Sequence, residues 1–253
     1  MIKLNLVGEN NMFKTIVTSD LHGNLPMVIE EFDLMLICGD VVPAHDHYFS
    51  FQKEWVENEF VEWILSLPFK NVWSKVVMTP GNHDIVFERW NENDYQRISM
   101  LTNGRLIILR NKEYRFEYID DGSNMPSYLK IFGTPYCQIF GNWAFMRSDA
   151  KLRKKFAEIP EDLDVLITHS APDIEGYGYV DWGTPYKRNA GCPILAAAIK
   201  EKQPQYVFCG HIHSGNHKLQ VVDGTAIANV SYVDEAYEPR DNMLKLYLSG
   251  RIA

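Results

Sequence analysis

Five short strand-like runs in this chain end abruptly in histidine, aspartate or glycine, and that punctuation limits the folds open to it. Phe13–Thr18 runs into Asp20-Leu21-His22, Leu34–Cys38 into Gly39-Asp40, and Lys75–Met78 into Gly81-Asn82-His83-Asp84. Leu163–Thr168 stops at His169-Ser170, and Tyr206–Cys209 at Gly210-His211-Ile212-His213. A run of this length and composition reads as a buried strand, and the polar cluster falls where the strand must leave its sheet.

Helical patterns separate the runs. Trp55, Val56, Phe60, Ile64 and Leu67 recur at helical spacing across 48–67, and Pro68 stops them. Residues 149–157 and 192–202 also read as helices, and Leu106–Leu109 as a further strand. Strand alternating with helix points to an α/β architecture. Beyond it, Tyr114–Ile119, the turn Asp120-Asp121-Gly122 and Tyr128–Phe132 read as a hairpin. Lys218–Val222, Thr225–Val230 and Leu244–Leu248 read as a second, antiparallel set of strands. A layered sandwich of mixed sheets accommodates both halves. No repeat or Pro/Gly/Ser-rich linker divides the chain, so a single domain over 12–253 is expected. Residues 1–11 are polar and read as a flexible extension, with Met12 a candidate alternative start.

Composition removes several functions. The 25 Lys+Arg against 33 Asp+Glu leave a net charge of −8, which opposes a sequence-independent grip on polymeric nucleic acid. No apolar run approaches the ~20 residues that span a bilayer, so no membrane partner is expected. The start MIKLNLVGENNMFK has no secretory apolar core, so the four cysteines are expected reduced and the location cytoplasmic.

The five clusters carry the chemistry. Asp20 and His22, two residues apart at a strand end, can face one ion as the chain turns. Asp40 has two oxygens and can bridge two cations. Asn82 offers an uncharged oxygen, and Asp84 stands where it could orient His83. His211 and His213 behind a glycine form a metal signal of their own.

Taken in order, D-x-H, G-D, G-N-H-D, H and G-H-x-H resemble the signature of the calcineurin-like metallophosphoesterases. The stretches Phe132–Tyr136, Asn142–Phe145, Ile159–Glu161, Asp164–His169 and Gly191-Cys192 further resemble the metallophosphoesterase-domain-containing branch. The resemblance implies a four-layer αββα sandwich of two mixed sheets flanked by helices. It also implies two metals, one held by Asp20, His22, Asp40 and His213 and the other by Asp40, Asn82, His169 and His211. Two divalent cations against two ligand carboxylates leave a positive site that can bind phosphate and acidify a bridging water. Mixed nitrogen and oxygen ligands suit Mn, Fe, Zn or Co, with Mn favoured. His83 has no metal slot in that scheme and is free to face the leaving-group oxygen, as a general acid or as a positive charge, oriented by Asp84.

The expected substrate is a small phosphate ester, a phosphodiester such as a cyclic nucleotide, cleaved by hydroxide held between the metals. A phosphomonoester or phosphoprotein substrate comes second, a nuclease third and a non-catalytic scaffold last. Asn82, His83, Tyr136 and Trp143 are candidate substrate contacts, with Phe140, Tyr177, Tyr179, Trp182 and Tyr186 in loops that either stack a base or pack the core. His45, Asp46 and His47 read as a solvated loop, and His217 as surface.

Overall fold

The computed structural model describes residues 12–118, 126–181, 188–240 and 243–252. The expected extension at 1–11 and the turn Asp120-Asp121-Gly122 lie outside the described residues.

Met12–Thr18, Leu34–Ile37, Lys75–Met78 and Leu106–Ile108 lie side by side in that order as parallel strands of the first sheet. In the second, Ser127–Thr134, Val165–Thr168, Tyr206–Cys209 and Thr225–Asn229 are likewise parallel neighbours in that order. Antiparallel strands make both sheets mixed. Leu244–Ser249 pairs with Met12–Thr18, Lys112–Tyr118 with Ser127–Thr134, and Gln220–Val222 with Thr225–Asn229.

Side-chain alternation along these strands fills three cores. Val17, Leu34, Leu36 and Val77 of the first sheet meet Leu129, Ile131, Val165, Ile167 and Phe208 of the second. The opposite face of the first sheet, with Ile16, Met35, Ile37 and Val76, is covered by Val56, Phe60 and Ile64. On the outer face of the second, Leu166, Val207 and Ile227 pack on Leu152 and Phe156 of helix Asp149–Ala157 and on Leu195 and Ile199 of helix Pro193–Lys202. The layers therefore run helix, sheet, sheet, helix, as expected.

The helix expected over 48–67 consists of Phe49–Trp55 and Val61–Ser66 joined by a π-helical turn, Val56–Phe60. Trp55 and Phe60, five residues apart, would diverge on an α-helix; the wider turn lets their rings stack at 5.8 Å. Two helices, Ile85–Arg89 and Glu92–Leu101, were not anticipated. The second begins with a reciprocal cap in which Asn91 Oδ1 accepts from Asn93 N (2.8 Å) and Asp94 Oδ2 from Asn91 N (3.0 Å).

One expectation needs correction. The C-terminal strands do not form a separate antiparallel set. Thr225–Asn229 extends the parallel second sheet, and Leu244–Ser249 crosses to the edge of the first. Periodicity identifies a strand but carries no information about its partner.

The short strand Arg251–Ile252 is tied down by charge. Arg251 Nε donates to the buried Asp164 carboxylate (2.7 Å) and Nη1 to Asp162 (2.6 Å). Arg251, with Lys130, holds the exposed Asp162 carboxyl down to about 2. That contribution is present above the ordinary carboxylate range and is lost as pH falls toward 2. Arg251→Ala removes a charge-assisted bond to a buried carboxylate and should destabilise the fold by about 1.5–3 kcal/mol in urea unfolding at neutral pH. The gap between variant and parent should narrow in acid.

Candidate metal centre

The clusters meet because the two sheets bring the carboxyl ends of their parallel strands to one place, and hydrogen bonding continues past those ends. Asp20 N donates to Gly39 O (2.9 Å), His22 N to Asp40 O (3.0 Å) and Gly210 N to His169 O (3.2 Å). Tyr232 N donates to Ser19 O (2.7 Å), joining the first sheet to the second at the site itself. Asp20, His22, Asp40 and His211 take positive φ values of 53°, 43°, 52° and 70°. Such turns cost roughly 1–3 kcal/mol each in a non-glycine residue, and here they aim the side chains back toward one point. Gly210 has to be glycine for a different reason: a Cβ there would collide with Ser19 Oγ and the Asp20 carboxylate.

Ligand atoms of Asp20, His22 and His213 lie within 4.8 Å of one another, and so do those of Asp40, His169 and His211. Asp40 Oδ2 stands between the groups, 3.7 Å from His22 Nε2 and 3.3 Å from His169 Nε2. Its other oxygen, Oδ1, accepts from His83 N at 2.7 Å. Asn82 Oδ1 lies 2.8 Å from His169 Nε2 and so joins the second group.

The donors fit cations. His22 is buried and neither of its ring nitrogens has a hydrogen-bond partner. His169 Nδ1 faces Cys38 O (2.9 Å), and His213 Nδ1 faces Asp234 O (2.9 Å), which leaves Nε2 of each directed into its group. His169 Nε2 confronts two oxygens, and a cation among the three atoms satisfies them all. The electrostatics agree. Burial opposes charge on His169 and His213, yet Asp40 and Asp20 outweigh it and lift each to about 9. Burial also pushes His22 down to about 4 and, with His169, His211 to about 3. Each carboxylate thus draws positive charge to the centre of its group.

A cavity of about 560 Å³ opens over both groups, lined at its base by Asp40, Asn82, His83, His211 and His213. Phe140 stands 5.2 Å from the His211 ring, and Tyr237 4.8 Å from His22. Both aromatics also line the cavity.

The family model for calcineurin-like phosphoesterases matches residues 13–215, which contain all five clusters. The chain belongs to that family. It is 28% identical over 192 residues to metallophosphoesterase domain-containing protein 1 of Homo sapiens, covering 72% of this chain and 56% of that protein. The chain thus corresponds to about half the length of the human relative. A UPF0046 protein of Caenorhabditis elegans is 27% identical over 246 residues, covering 90% of this chain and 80% of its own. In fold, the chain is similar to the phosphopantetheinyl hydrolase of Mycobacterium tuberculosis, with a TM-score of 0.51, 12% identity, and coverage of 92% of this chain and 95% of the other.

Against this geometry three sequence expectations change. Asp84 does not orient His83. Its carboxylate accepts four backbone N–H bonds, from Asp40 (2.9 Å), Val41 (2.9 Å), Val42 (3.1 Å) and Gly81 (2.7 Å), and so clamps two ligand loops together. Tyr136 packs against the core and beneath Arg147 and Lys155 and is not among the cavity-lining residues. Trp143 lies against the His83 ring, 4.4 Å away and tilted 33°, and is likewise absent from the lining. Of the other loop aromatics, Tyr177 is buried, Phe140 lines the cavity, and Trp182 and Tyr186 fall outside the described residues.

Sequence reasoning missed other residues around the site. His47 is not simply solvated, since its Nε2 is 3.3 Å from His83 Nδ1. Nor is His217 merely surface: it is half-buried and contacts Arg240 (2.9 Å). Gln52, buried on the helix, donates to His83 O (2.9 Å) and accepts from Val86 N (3.0 Å). Ser231 donates to Asp20 (2.7 Å) from the end of another parallel strand, the same positional signal that marked the five clusters. Tyr237 had no such signal.

Asp84→Asn swaps an acceptor oxygen for an NH2 group facing main-chain donors. It should cost at least about 2 kcal/mol of stability by urea unfolding. An Asp84→Asn protein that is as stable as the parent but impaired in turnover would return Asp84 to a direct role in the chemistry.

Proposed function

We propose that this chain is a metal-dependent phosphodiesterase acting on small diesters, with a nucleotide diester the preferred class. The observation that carries the reading is the Asp40 carboxylate standing between two groups of cation-binding side chains at the floor of a cavity. Asp20, His22, Asp40 and His213 would hold one divalent transition metal, and Asp40, Asn82, His169 and His211 a second, with Mn favoured. Bound there, the ions would supply net positive charge for the phosphate and an acidified water.

The chain's own groups do the rest. His83 borders the same cavity but has no place in either ligand group, so its imidazole is available to protonate the departing oxygen. Its Nδ1 faces His47, so Nε2 is the atom that gives up the proton. Phe140 and Tyr237 flank the two groups from opposite ligands and form apolar walls for a ring-bearing substituent. The small cavity and the acidic chain both disfavour a polymer.

Protein reconstituted with excess Mn should approach one ion per ligand group by elemental analysis. It should cleave 2′,3′- or 3′,5′-cyclic nucleotides and an aryl phosphodiester faster than an aryl phosphomonoester, and leave single-stranded DNA intact. Faster monoester turnover would replace the diester reading with a phosphomonoesterase. Asp40→Asn should lower metal content, whereas His83→Ala should keep it and lose ~10²–10⁴-fold in rate.

Replacing Phe140 or Tyr237 by Ala should raise KM for the nucleotide roughly 2- to 10-fold. KM for a dimethyl or similar ring-free phosphodiester should stay within error.

A further inference from the structure

We infer that His47 is the positioning residue for His83, accepting the His83 Nδ1–H so that the proton on Nε2 is the one delivered to the cavity. The inference deepens the assignment of His83 as the proton donor and rests on it.

A histidine that donates from one nitrogen needs a partner on the other. The sequence neighbour Asp84 is spent on four main-chain N–H groups. The His83 main chain is itself fixed, its N–H bonded to Asp40 Oδ1 (2.7 Å) and its carbonyl to Gln52 Nε2 (2.9 Å). What remains free is rotation of the ring, and three contacts limit it. Trp143 lies across one face at 4.4 Å, His22 meets the ring nearly perpendicular at 5.0 Å, and His47 Nε2 sits 3.3 Å from Nδ1. Turning the ring over would put a carbon against His47 and lose the bond.

His47 is held in turn. Its ring packs edge-on against Trp143 at 4.7 Å. The chain behind it turns through a bond from Tyr48 N to Asp46 Oδ1 (2.8 Å) directly before the helix that begins at Phe49. That helix carries Gln52, so the helix and the turn directly before it supply both supports of His83.

The proton count closes. His83 starts as imidazolium, with Nδ1–H donated to His47 Nε2. The Nε2–H bond breaks as the O–H bond of the leaving alcohol forms, and the P–O electron pair leaves with that oxygen as the hydroxide oxygen drawn from water forms the new bond to phosphorus. Neutral His83 keeps Nδ1–H, the less common tautomer of free histidine, because His47 accepts it. A proton from solvent then restores the imidazolium.

Two measurements on the Mn-loaded full chain and its metal-free form test this. Two-bond 15N–1H correlation spectra of the metal-free protein, at a pH where His83 is neutral, should show its proton on Nδ1, moving to Nε2 in His47→Ala. In kinetics, His47→Ala should lower kcat on a diester with an alkyl leaving group roughly 10–100-fold, with KM and metal content near wild type. An activated aryl diester should lose far less. His47→Gln, whose amide oxygen can accept the same proton, should recover most of the alkyl-diester rate. An Nε2–H tautomer in the wild type overturns the inference, as does an equal loss on both leaving groups or no loss on either. Wild-type protein that cleaves neither diester sinks the phosphodiesterase reading instead, and the tautomer then decides the His47 geometry by itself.

Discussion

The buried Asp84 carboxylate is the interaction on which the geometry of the site depends. The loops at 39–42 and 81–84 turn sharply off their strands and leave main-chain N–H groups pointing inward, away from water. Two carboxylate oxygens satisfy four of them. No apolar residue of similar size could do so, and each unpaired buried donor would cost about 1–3 kcal/mol. Burial, with Asp40 nearby, raises the Asp84 carboxyl to about 7 against the pull of those donors. The clamp therefore holds Asp40, Asn82 and His83 in register at the expense of a strained charge behind them.

The same economy of partners orients the histidines. Main-chain carbonyls of Cys38 and Asp234 take Nδ1 of His169 and His213, so their Nε2 atoms can only face inward. His83, which belongs to neither ligand group, takes a side chain, His47, for its partner. A carbonyl can accept but never donate, so it holds the ring it faces in one tautomer. An imidazole partner can do either, which fits the proton transfer proposed for His83.

The strands and the ligand clusters were legible because both are local. A buried strand declares itself in a run of apolar residues, and a ligand at its end stands out against them, as His169 does after Leu166-Ile167-Thr168. What failed was everything that depends on direction or partner. Asp84 was given to His83 because it is the next residue, but its side chain points the other way. His47 sits in a polar stretch, His45-Asp46-His47, that in sequence resembles any solvated loop. Tyr136 and Trp143 carried aromatic bulk without any sign of which face of the fold would receive it. Leu244–Ser249 was recognised as a strand but assigned to the wrong sheet, since nothing in its alternation names the Met12–Thr18 edge.

That last strand has a consequence for how the molecule comes together. Leu244–Ser249 closes the edge of the first sheet, and after the single residue Gly250 the chain continues into Arg251–Ile252 on the second. One short segment thus stitches both layers of the sandwich at residues that a ribosome delivers after every strand they pair with. Until it arrives, Met12–Thr18 carries an open hydrogen-bonding edge, and the entropy of bringing its partner across so long a loop has yet to be overcome. A nascent chain can therefore assemble its central parallel strands early, but it seals them late, with the sheet edge exposed to other chains until Leu244–Ser249 emerges.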